Sequence, residues 1–342
     1  MAMRIIFAAA LALLALAGAA QAQDKLEQTK LKLGVGGKSL LYYLPLTVAE
    51  RQGYFKDEGL QVEIEDFQGG AKSLQALMGG SVDVVSGAYD HTIQIQAKGQ
   101  QLTAVVAQGR YPGVVIGLRP DVAAKYKEPK DLKGLKFGVT APGSTSHFAI
   151  NKFITSHGMK LDDVSVVGVG VGASAVAALQ RGDIDGLSNF DPAITQLEQL
   201  NLIKPIVDTR VEKGMQDLYG GPYPAAVLYL QSTYVEKNPK TVQALVNAML
   251  RALDFVHKST PDEIAKVMPP EYALGDPTLY RNAIEHSKTS YSVDGKIDPA
   301  GAENAAKVLA SFDEAVAKAK IDVTKTYTAK FVDAAAAAKK AK

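Results

Sequence analysis

A chain of 342 residues with 47% hydrophobic and 22% charged side chains has ample material for a large core, and its length suits two lobes better than one. Its 38 Lys and Arg nearly balance its 36 Asp and Glu, and no basic block stands out before the last few residues, which excludes a nucleic-acid partner held by excess positive charge. It has no cysteine, which excludes disulfides, Cys-ligated metals and an N-terminal lipid anchor.

Residues 1–22 read as a secretory signal peptide. Met1-Ala-Met-Arg4 is a short positive start, residues 5–17 are an apolar run, and Ala20 and Ala22 form the small-residue pattern of a cleavage site after Ala22. The competing reading is an inner-membrane anchor, but the run is short of the roughly 20 residues a spanning helix needs. Loss of Arg4 takes the net charge from +2 to +1, so the mature chain is expected to be nearly neutral, exported and soluble.

Two halves then read alike. Residues 31–35 (LKLGV) match residues 135–139 (LKFGV), each a short buried strand followed by a Gly-containing loop and a helix. The first helix opens near Leu44-Pro45, with Pro suited to a first turn; the second opens near Ser144. Further strands follow at 60–64 and 164–167. Residues 71–86 align without gaps on 173–188, sharing Ala71/Ala173, Ala76/Ala178, Leu77/Leu179, Gly80/Gly182, Asp83/Asp185 and Ser86/Ser188. Each unit is a helix stopped by Gly, then a tight turn, then a strand. The pattern predicts an α/β chain of two matched lobes, each a parallel sheet with helices on its faces. We expect lobe 1 over residues 23–117, lobe 2 over 118–220, and a return strand (225–230) with helices over 221–342 that pack on lobe 1. Helices are expected at 241–257, near 277–287 and over 299–319, with a frayed Ala/Lys tail from 334.

Segments within these halves resemble a known family. Residues 41–64 (LYYLPLTVAERQGYFKDEGLQVEI), 131–147 (DLKGLKFGVTAPGSTSH) and 178–192 (ALQRGDIDGLSNFDP) are similar, in sequence and order, to signatures of the nitrate/sulfonate/taurine-type ABC-transporter substrate-binding proteins. The resemblance covers residues 31–230. It implies a two-lobed periplasmic-binding-protein fold with a ligand cleft between the lobes and a C-terminal helical return onto lobe 1. It also implies delivery of a small solute to a membrane permease and ATPase.

In a parallel sheet ligands bind where strands end and helices begin. The candidate loops are 36–43, 69–71 and 86–91 in the first lobe, and 141–147, 168–172 and 188–192 in the second. Helix N-termini carry free N–H groups and partial positive charge, so Ser144, Thr145, Ser146 and the amides near Gly70, Ala71 and Gly170 suit an anionic head group. Ser144 is equally a plain N-cap. His91 and His147, one per lobe, are further candidates, each also readable as a structural hydrogen bonder. Tyr42 or Tyr43, but not both, is expected to contact ligand, beside Tyr89. Ser86 and Asn189 end strands at the same rim. Asp191 and Asp90 are ligand acceptors or helix caps, with capping favoured for Asp191. Arg110 reaches an anion or forms a structural ion pair, and Tyr223 floors the cleft.

The expected ligand is a small organic anion, sulfonate or carboxylate, bound by a monomer with no cofactor and no metal. Enzyme signatures (G-x-S-x-G, a P-loop, H-E-x-x-H) are missing from the sequence, so no catalysis is expected. The related thiamine pyrimidine synthases carry a Cys-rich motif that this Cys-free chain lacks. A ligand-presenting sensor subunit is a further alternative.

Overall fold

The computed structural model describes residues 25–341, so the expected signal peptide lies outside the described residues. Ten strands form two five-stranded sheets. They are β1 (Lys30–Val35), β2 (Gln61–Asp66), β3 (Val84–Ala88), β4 (Leu102–Ala107), β5 (Val115–Leu118), β6 (Lys136–Val139), β7 (Ser165–Gly168), β8 (Gly186–Asn189), β9 (Lys204–Asp208) and β10 (Ala226–Gln231). The orders are β2-β1-β3-β10-β4 and β7-β6-β8-β5-β9, the same topology twice.

The sheets are mixed, not parallel throughout. β1 pairs in parallel with β2 and β3, and β6 with β7 and β8, as the repeat requires. β10 and β5 run antiparallel to their neighbours. The reason is the crossing. Each of these strands arrives from the other lobe at the rim where the parallel strands end. Ala226 opens β10 opposite Ala88, the last residue of β3, and Val115 opens β5 opposite Asn189, the last residue of β8. The expected lobe boundary at 117/118 therefore cuts through β5, a strand of the second sheet. The local cause is that β5 looks like any apolar strand, and only its partners assign it to a lobe.

Central strands are buried on both faces and read as apolar runs; all five residues of β3 are buried. The long helix Pro239–Lys258 buries Val242, Leu245, Val246, Met249, Leu253 and Val256 at helical spacing and packs on the helix Leu44–Arg51 of the first lobe. The return helices do more than brace that lobe. Pro277–Ser287 also touches the helix Ala193–Gln199, and Pro299–Ala310 touches both Asp90–Ala97 and Thr145–Ser156, so both bridge the lobes. The segment expected as one helix over 299–319 is two, Pro299–Ala310 and Glu314–Lys318, because Asp313 caps a new start by accepting from the amides of Ala315 and Val316. The tail is helical through Lys340, its start anchored by buried Phe331 and Val332. No helix among the described residues is long and apolar enough to cross a membrane.

Candidate functional site

The helix Thr145–Ser156 starts at the rim of the second sheet, preceded by Ser144 in an extended conformation. Ser144 does not cap its own helix. Its Oγ accepts instead from the amide of Ala71, 2.9 Å away on the first lobe. Thr145 Oγ1 donates to the Asp90 carboxylate, also on the first lobe, at 2.9 and 3.2 Å. The amide of Leu41 donates to the carbonyl of Asp191 at 3.0 Å. Three hydrogen bonds thus tie the rims together, and the cleft is shut. At Gly69 the lobes approach so closely that a Cβ would lie 2.7 Å from the Cβ of Ala141.

Between these ties lies a small cavity. Leu40, Tyr42, Tyr43, Gly70 and His91 line it from the first lobe, and Thr140, Ser144, Thr145 and Phe190 from the second. It leaves about 10 Å³ for the centre of a solvent molecule, close to what one water needs. Both tyrosines line it, against the expectation of one. They sit in a 3₁₀ turn, Leu41–Tyr43, with rings edge-to-face at 4.8 Å, while Tyr42 also meets Phe190 at 4.8 Å. In that turn successive residues are about 120° apart, so the two rings reach the cavity from different directions and meet edge-to-face.

One wall is polar and fully buried. His91 Nδ1 is 3.2 Å from the Tyr229 hydroxyl, and its Nε2 lies 3.9 Å from Asp90 Oδ1. Asp90 also accepts from Tyr223 at 3.4 Å, and Tyr223 stacks on Tyr219 with centroids 4.1 Å apart. Burial pushes the Asp90 carboxyl up; His91, Thr145 and Tyr223 oppose that by favouring the charged form. Two polar atoms on the lining, Tyr42 Oη and His91 Nε2, have no hydrogen-bond partner. Such orphans are uncommon in a protein interior and mark a place where another molecule's polar atoms fit.

Burial lowers the His91 pKa below its ordinary 6.5; Asp90 and the Gly143 backbone oppose this, and Lys98 adds to it. Just below pH 6.5 the folded protein then binds fewer protons than the unfolded chain, so stability rises with pH there. The contribution is complete above 6.5 and is lost as the pH falls. Replacing His91 by Gln is expected to reduce this slope below pH 6.5 in urea denaturation, leaving the share from His147, whose pKa burial also lowers. An unaltered slope would mean that His91 does not titrate with folding.

Other expected residues lie off the cavity. Ser86 Oγ accepts from Gln108 Nε2 at 2.9 Å inside the first lobe. Tyr89 turns toward the C-terminal segment and bonds Thr326. Ser146 Oγ is held by the amide and hydroxyl of Thr140, and His147 Nδ1 accepts from the amide of Gly143 at 3.0 Å. The Asn189 side chain bonds the carbonyl of Gly170 and the amide of Phe190. Asp191 caps the following helix through the amide and hydroxyl of Thr195 and pairs with Arg210 at 3.3 Å. Arg110 donates to the carbonyl of Thr289 and lies over the Tyr111 ring, so it forms neither expected contact. Phe190, Leu40 and Gly36 line the cavity from within the expected loops but were not singled out, since they carry no chemistry of their own. Arg210 lies in no expected loop and had no local signal.

Two similar α/β lobes closing over a shared cavity define the class: a periplasmic-binding-protein fold. The chain belongs to the NMT1-like family, which matches residues 24–268. A solved structure from Bordetella bronchiseptica RB50 is 48% identical, covers 92% of this chain and 99% of its own, and superimposes with a TM-score of 0.89. The alkanesulfonate-binding protein SsuA from Xanthomonas axonopodis pv. citri, solved bound to MOPS, shares the fold with a TM-score of 0.71 at 16% identity, over 89% of this chain and 99% of its own. Similarity also extends to the 4-amino-5-hydroxymethyl-2-methylpyrimidine phosphate synthase of Aspergillus parasiticus, 26% identical over 75% of this chain and 74% of that protein. The resemblance to nitrate/sulfonate/taurine-type substrate-binding proteins read from the sequence thus holds for family and fold.

Proposed function

We propose that this protein is the solute-capturing subunit of an ABC importer in the periplasm, closing its lobes on a small organic solute and presenting the closed form to a permease and its ATPase. The observation that carries this reading is the cavity lined by both lobes, with Ser144 and Thr145 reaching across to Ala71 and Asp90. Closure that depends on both rims couples binding to shape, which is what a permease can read. Tyr42, Tyr43 and Phe190 offer flat apolar walls to the solute's body, and Tyr42 Oη and His91 Nε2 offer it hydrogen bonds.

An organic anion was the expected ligand, and the alkanesulfonate-binding neighbour favours that class. Two helix N-termini, those of Gly70–Met78 and Thr145–Ser156, meet at the cavity and also favour it. The cavity lining, however, includes no Lys or Arg.

A second reading is enzymatic. The pyrimidine synthase relative favours it, as does a buried His beside a carboxylate at the cavity. A thermal-shift screen of sulfonates, carboxylates and nitrogen heterocycles, followed by calorimetry and small-angle X-ray scattering, separates the two. A binding subunit returns its hit unchanged and stays shut around it. Conversion of the hit, or covalent change at His91 seen by mass spectrometry, would sink the transport reading.

A further inference from the structure

The acidic group that the sequence led us to seek at the Thr145–Ser156 helix is already there: it is the Asp90 carboxyl of the protein itself. Asp90 is completely buried and projects from the first lobe to the first turn of that helix, where Thr145 Oγ1 donates to both its oxygens. Asp90 is also the first residue of its own helix, Asp90–Ala97, so two helix N-termini from opposite lobes converge on one carboxylate. The Tyr223 hydroxyl adds a second donor, at 3.4 Å. Thr145 and Tyr223 favour the charged form of Asp90 against its burial, and an anionic solute entering here would meet that charge in a setting poor in water, where like charges repel strongly. No Lys or Arg lines the cavity to offset it. Arg210, the cation of the adjoining small cavity, is already engaged by Asp191, Glu198 and Asp208.

The groups still seeking partners are of another kind. His91 Nε2 and Tyr42 Oη are buried and line the same cavity; Tyr42 Oη has no hydrogen-bond partner, and Asp90 Oδ1 lies 3.9 Å from His91 Nε2, beyond a hydrogen bond. A hydroxyl both donates and accepts, and an imidazole nitrogen does one or the other according to its tautomer. Such a pair can serve an amide, an amine or a ring nitrogen, so nothing about it requires a charged head group, and the neighbouring Asp90 weighs against an acidic one.

We propose that Asp90 fills the anion position of this cleft from within, so that the solute is neutral or cationic where it meets the Thr145–Ser156 helix. The inference rests on the binding-protein reading and deepens it. Asp90 is then the residue that sets ligand charge: it closes the rim through Thr145 and turns anions away.

The test is calorimetry on the mature protein with matched probes. Benzoate, benzenesulfonate, benzamide and benzylamine form one set; propionate, propionamide and propylamine form another. For the body that binds, we expect the amide or amine to bind at least tenfold tighter than the acid. In Asp90→Asn, which removes the charge and keeps the shape, we expect acid affinity to rise at least tenfold. The wild-type preference alone suffices should that variant fail to fold. Tighter binding of the acid by wild-type protein overturns this inference and leaves the transport reading standing. No binding by any member of either set, or in the wider screen above, defeats the transport reading itself.

Discussion

Replacing Arg210 by Met is expected to lower the free energy of unfolding by about 3–5 kcal/mol, the usual cost of stranding a buried charge. Arg210 is the hub of an ion network on the second lobe, in which Asp191 is buried while Glu198 and Asp208 are partly exposed. Its guanidinium donates to Asp208 through Nε and a terminal nitrogen, to both carboxylate oxygens of Glu198 at 3.0 Å, and to Asp191 at 3.3 Å. Its side chain is 11% exposed, while Asp191 is 2% exposed and cannot recover water when the cation is removed. Burial by itself would lower the Arg210 pKa, but the surrounding carboxylates overcome it and hold the group above its ordinary range. The effect should extend to closure, since the carbonyl of Asp191 receives the Leu41 amide from the other lobe. Arg210→Lys should recover only part of the loss, because an ammonium lacks the planar fork that reaches several carboxylates together. Urea denaturation of the three proteins provides the measurement. A loss below about 1 kcal/mol for the Met variant would show that the Thr195 amide and hydroxyl satisfy Asp191 without the cation.

Replacing Gly69 by Val is expected to act on the gap between the lobes and not on either lobe. The Gly69 backbone is extended, with φ 169°, which any residue adopts, so a side chain there strains nothing within the first lobe. What it meets is the Cβ of Ala141 at 2.7 Å, on the opposite rim. Close-packed contacts do not compress by that much, so the rims must part. Parting breaks the Ser144–Ala71 and Thr145–Asp90 bonds together. Affinity for the best solute of the screen should fall at least tenfold, about 1.4 kcal/mol. Scattering should show a wider particle, and the urea midpoint should stay near that of the parent. A variant that binds as tightly as the parent would mean that the rims need not touch for capture.

The sequence disclosed the architecture because its signals are local. Strand 31–35, the Gly-stopped helices and the aligned units 71–86 and 173–188 each carry turn and periodicity cues that need no distant partner. The loops at 36–43, 69–71 and 141–147 could be placed at one rim because strand ends and helix starts coincide there. Within those loops the side chains answer to distant partners. Ser144 reads as a possible cap, but its Oγ serves an amide 73 positions away. Ser146 and Tyr89 read as cleft residues, but Thr140 and Thr326 hold them elsewhere.

By itself, then, the amino-acid order determined a repeated α/β unit and the rims on which a ligand site forms, since hydrophobic period and turn chemistry act over a few residues. Only the tertiary structure decided which sheet β5 joins, that Arg210 gathers three carboxylates, and that Asp90 lies against a helix of the other lobe. Those outcomes depend on which surfaces meet when the lobes close, and burial and pairing between groups far apart in the chain leave no periodic trace along it.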